Sequence, residues 1–187
     1  MFFSYIEHIA DLENRQLLII SHITEYFTPN NDRQYFIMDP YLSPVDSLQQ
    51  PFRDRKLEST NWSFLLAELA APECEFNIFT AESINGLAAV EKDPPYEISS
   101  DNQLAGSKVY VCQYPGHAYN GLNIHDRYII QKNDTNIKGI HIGPSLDDIH
   151  NKDVSLTIFS EAGAEKALNN FQSLWDECIR TKAWKKG

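Results

Sequence analysis

The 187-residue sequence is poor in cysteine, in positive charge and in long apolar runs. Its three cysteines, Cys74, Cys112 and Cys178, are widely scattered and form no Cys-x-x-Cys pair. That excludes a disulfide framework and points to reduced core thiols in a cytoplasmic protein. His141 and His150 stand nine apart with no cysteine beside them, so no metal-ligand spacing is present and neither metal nor cofactor is expected. No apolar run reaches the roughly 18 residues that a membrane span needs. The opening segment, Met1-Phe2-Phe3-Ser4-Tyr5-Ile6-Glu7-His8, has no basic stretch and no small-residue cleavage site, so no secretory signal is expected. Lysine and arginine total 16 against 26 acidic residues, a formal net charge of −10. This balance argues against tight nonspecific binding of nucleic acid by the chain alone, and against docking on anionic lipid. It leaves room for a local positive groove, because global charge speaks to association more than to one site. The basic clusters Arg53, Arg55, Lys56 and Arg180, Lys182, Lys185, Lys186 read as solvated surface.

What is present is globular material: 42% apolar and 12% aromatic residues, enough for one domain over 1–187 with a real core. No repeat, low-complexity tract or linker divides it. Ile6, Ile9, Ala10, Leu17, Ile20, Ile23 and Phe27 recur at near-helical spacing and predict one long or broken helix over 4–27. A buried strand over 34–39 stops at Pro40. An irregular excursion over 43–59 precedes a helix started by Asn61. A strand over 75–80, a helix over 82–91 and a loop over 93–106 come next. Strands over 108–112, 123–131, 137–143 and 153–159 are then expected, with a loop over 115–121 and a turn at Asn133-Asp134. Ser160 caps a last helix whose stripe is Ala164, Ala167, Leu168, Phe171, Leu174, Trp175, Cys178 and Ile179. Helices alternate with strands early and strands dominate later. The expected fold is α/β, a mixed β-sheet flanked by helices on both faces.

The chemistry concentrates in two runs, Ile124-His125-Asp126-Arg127-Tyr128-Ile129-Ile130 and Gly139-Ile140-His141-Ile142-Gly143-Pro144-Ser145-Leu146-Asp147-Asp148. On one strand His125 and Arg127 face the same side. If the second run pairs with the first, Ser145 and Asp147 approach that side. An imidazole, a fixed cation and small polar anchors at one sheet rim are what a phosphodiester-handling site needs.

At these residues the chain resembles the phospholipase D superfamily, whose signature is His-x-Lys, an Asp five residues after the lysine, and Gly-Ser-x-Asn. Here the first part stands as His125-Asp126-Arg127 and the last as Gly143-Pro144-Ser145-Leu146-Asp147. The order of elements, from a strand ending in Asp39-Pro40-Tyr41 to a closing helix, is similar to one half of that fold. Three positions depart: Arg127 replaces lysine, Lys132 stands where the acid belongs with Asp134 off register, and Asp147 replaces asparagine. Arginine and lysine are not interchangeable, and arginine grips phosphate bidentately. A carboxylate near the site repels the ligand by about 4 kcal/mol at about 4 Å and an effective dielectric near 20.

The resemblance implies metal-free hydrolysis through a phosphohistidine, with His125 as nucleophile or acid, Arg127 clamping the phosphoryl group and Ser145 donating to it. Asp148 or Glu161 would orient the imidazole. Only one motif is present, since His8, His22, His117, His141 and His150 lack the pattern. Single-motif enzymes of the family form two-fold dimers, so a homodimer is expected. Small members resemble bacterial endonucleases, including subunits of restriction or phage-defence systems, and the acidic balance then leaves the nucleic-acid grip to a partner chain.

Plainer readings stand beside this one. His125 serves as a structural histidine, and Arg127 forms an ion pair with Asp147 or Asp148 that holds the sheet edge. Asp39-Pro40-Tyr41 is a strand stop that can also line the cleft. The same motif is similar to the phospholipase D-like C-terminal domain of MIT-domain proteins, which implies a non-catalytic module binding membranes or partners. A toxin or effector domain acting inside a larger complex is a third reading.

Overall fold

A computed structural model describes residues 3–5, 12–27, 33–40, 61–81, 96–98, 106–114, 118–119, 122–123, 126–143 and 155–184. In chain order they form β1 (Phe3–Tyr5), α1 (Leu12–Tyr26), β2 (Gln34–Met38), α2 (Asn61–Leu69), β3 (Glu75–Ala81), β4 (Tyr96–Ile98), β5 (Lys108–Tyr114), β6 (Ala118–Tyr119), β7 (Leu122–Asn123), β8 (Tyr128–Lys132), β9 (Ile137–Gly143), β10 (Ser155–Ile158) and α3 (Glu161–Trp184). Eight strands make one mixed sheet in the order β1-β10-β9-β8-β2-β3-β5-β4, and β6 and β7 pair separately. β2, β3 and β5 run parallel, and the remaining neighbours in the sheet are antiparallel. The chain is thus α/β, with helices on both faces of a mixed sheet.

Alternation along the strands builds the two cores. On β2, Tyr35 and Ile37 face one way and Phe36 and Met38 the other. The first side receives Ile19, Ile20, Ile23 and Phe27 from α1 and its end, and Leu65, Leu66 and Leu69 from α2. The second receives Ala164, Leu168, Phe171, Leu174 and Cys178, a three-and-four stripe along α3. Phe171 lies edge-on to Phe36 and Phe79 and stacks on Trp175. Ser160 caps α3, its Oγ accepting from the Gly163 N–H at 3.2 Å. Cys74, Cys112 and Cys178 are buried and free.

Several boundaries differ from the sequence expectation. Phe3–Tyr5 is an edge strand on β10, not the start of a helix, because aromatic alternation finds a partner in Ser155–Thr157. Leu17, expected in the apolar stripe, is 50% exposed, and Ile19 takes the core position. The expected loop over 93–106 contains β4, paired onto β5. The expected loop over 115–121 contains β6. The single strand expected over 123–131 is split: Leu122–Asn123 pairs with Ala118–Tyr119, and the sheet strand begins at Tyr128. The helix over 82–91 and the excursion over 43–59 lie outside the described residues.

One rim is closed by side chains that serve a helix end. The last turn of α1 carries no basic residue of its own. Its final carbonyls are met from elsewhere: Phe27 O accepts from Arg33 Nη1 at 2.9 Å and Gln131 Nε2 at 3.0 Å, and Tyr26 O from Lys138 Nζ at 3.2 Å. Beside them the β8–β9 turn is tied by Asn133, whose Oδ1 accepts from the Asn136 N–H at 2.7 Å and the Thr135 N–H at 3.1 Å.

Candidate functional site

The opposite rim holds Arg127. β2, β3 and β5 are parallel, so their carboxyl ends emerge together, which is where open α/β sheets place ligands. β8 is antiparallel to β2, with Met38 opposite Tyr128, so the residue before β8 meets the residue after β2. These two residues are Arg127 and Asp39. Each remains bonded into the sheet: Asp39 N–H donates to Phe79 O at 3.2 Å, and Arg127 O accepts from Ile142 N–H at 2.8 Å. The two runs singled out in the sequence are therefore neighbours, as β8 and β9.

Arg127 Nε lies 3.7 Å from Asp39 Oδ1. The carboxylate is fully buried, while 17% of the arginine side chain reaches solvent. Nε is itself shielded, so the solvent-facing part of Arg127 lies on its other atoms. Thr80, one register step across β3 from Asp39, is also buried. A hydroxyl, a carboxylate and a guanidinium thus occupy one row across three strands. Among the described residues Arg127 forms an ion pair with Asp39; the alternative pairing with Asp147 or Asp148 falls on residues outside the described ones.

His141 shares this rim on the other face of the sheet. It is opposite Tyr128, and its ring lies 6.5 Å from that of Phe159. The Tyr128 hydroxyl donates to Ala167 O of α3 at 3.2 Å. Burial, and then the negative charge of Asp126, push this phenol well above its ordinary range.

Of the residues singled out in the sequence, Arg127 lies at the rim. His125, Ser145, Asp147 and Asp148 lie outside the described residues. Glu161 belongs elsewhere: it begins α3 and lines a concavity of about 500 Å³ with Lys132, Asn133, Asp134 and Glu165, at the hairpin rim. Lys132 is separated from Arg127 by five residues of extended chain, on the order of 17 Å, so neither it nor Asp134 reaches the Arg127 rim. Sequence reasoning gave Asp39 as a strand stop that can also line the cleft and did not pair it with Arg127. The signal was a carboxylate directly after an apolar strand, in the position where parallel strands present their carboxyl ends.

Among the described residues no group of three or more His, Cys, Asp or Glu side chains is placed to hold a metal ion. Nor is any described helix long and apolar enough to cross a membrane. Comparison of the chain with protein-family models, with curated proteins and with solved structures finds no match.

Proposed function

We propose that this chain is a phospholipase D-like phosphodiesterase of the nuclease type, independent of metal, acting as a homodimer in a bacterial restriction or defence system. The observation that supports it is the seating of Arg127. Two adjacent strands hold a partly exposed arginine at the carboxyl ends of parallel strands, and in the sequence β9 runs on from Gly143 into Pro144-Ser145. In the proposed reaction His125 attacks phosphorus and a P–N bond forms as the P–O bond to the leaving group breaks. The partner's histidine protonates the departing oxygen. Water then cleaves the P–N bond and returns free imidazole, while Arg127 and Ser145 carry the charge on the equatorial oxygens.

The test is hydrolysis of bis(p-nitrophenyl) phosphate in EDTA by wild type and His125→Ala. Turnover that persists in EDTA and disappears in the variant is expected. Equal inertness of both proteins on every diester tried overturns the reading. Size-exclusion chromatography is expected to give a dimer, and a strict monomer counts against catalysis.

A second reading has its own support. Asp39 neutralises the cation that a phosphate would need. On that reading the rim is an inherited ion pair in a non-catalytic module that binds membranes or proteins. Liposome pelleting and pull-down from lysate separate the two, with membrane or partner capture in an inert protein favouring the module.

A further inference from the structure

We draw no further inference here: the strongest candidate, the concavity of about 500 Å³ between the β8–β9 turn and the first turns of α3, is a cluster of the carboxylates Asp134, Glu161 and Glu165 beside Lys132, and nothing among the described residues shows what it would bind.

Discussion

The two rims of the sheet bury polar residues for different ends. At the hairpin rim Arg33, Gln131 and Lys138 converge on the carbonyls that finish α1. Each group there answers a need created by the fold, since a helix end carries unsatisfied acceptors that must find donors. At the other rim Asp39 is sunk completely and holds an arginine that still touches water. Replacing a buried ion pair by apolar residues is often neutral or stabilising, so folding alone gives little reason to keep one. Two concavities among the described residues lie at the hairpin rim, and the buried carboxylate lies at the other.

The sharpest way to break the comparison is to remove one partner of each rim's interaction. Arg127→Ala removes the cation beside the buried Asp39 carboxylate, and is expected to cost about 3 kcal/mol by urea denaturation. Asp39→Asn leaves in place the partner that is already partly exposed, so its cost is expected to be clearly smaller. Equal costs would show that exposure of the arginine is not what distinguishes the pair. Gln131→Ala comes next. It removes a donor to Phe27 O and the 2.8 Å bond to the Tyr35 hydroxyl, for an expected loss of about 1–3 kcal/mol. That loss should leave phosphate binding untouched, and a change in binding would mean that the rims are coupled.

How far the sequence foretold this arrangement follows from which forces act locally. The short apolar runs that became β2, β3, β5, β9 and β10, and the three-and-four stripe of α3, were legible because apolar runs and helical spacing are properties of short windows. Ser160 was legible as a cap for the same reason. Phe3–Tyr5 and Tyr96–Ile98 were not, because three residues become a strand only when an edge of the sheet is there to receive them. The break before Tyr128 was hidden because Leu122–Asn123 pairs away from the sheet. At the site, Arg127 was legible from its motif. The pairing of Asp39 with Arg127 was not, since it is set by the antiparallel register of β2 with β8, which no local pattern records.

A smaller effect contrasts the rims through their tyrosines. Tyr128 lies beside the Arg127 rim and Tyr35 hydrogen-bonds Gln131 in the other, and burial raises both hydroxyls above their ordinary value of 10.0. The unfolded chain releases these protons near pH 10, whereas the folded chain retains them to higher pH. The folded state therefore binds more protons there, and stability falls as pH climbs. The contribution is complete below pH 10 and is lost above it. Thermal melts between pH 8 and pH 11.5 are expected to show this decline. Tyr128→Phe should flatten it more than Tyr35→Phe, since the charge of Asp126 adds to burial only at Tyr128. A steeper decline for Tyr128→Phe than for wild type would refute the assignment.

The smallest effect concerns strain, and it falls on the hairpin rim. Ala71-Pro72-Glu73-Cys74 closes with Cys74 N–H donating to Ala71 O at 3.1 Å. Proline suits the second position of such a turn, and the third requires a positive φ that glycine supplies without steric cost. Glu73 occupies that third position at φ 68°. Left-handed backbone costs a side chain with a Cβ about 1–2 kcal/mol, and the greater freedom of glycine in the unfolded chain returns part of that. Glu73→Gly is therefore expected to stabilise the protein by about 0.5–1 kcal/mol. Glu73→Ala keeps the Cβ and should gain nothing, which separates conformational relief from the removal of a carboxylate that shares a concavity with Glu75 and Asp134. Equal gains from both variants would assign the effect to charge. A raised urea midpoint for Glu73→Gly with none for Glu73→Ala assigns the gain to relief of backbone strain at this rim.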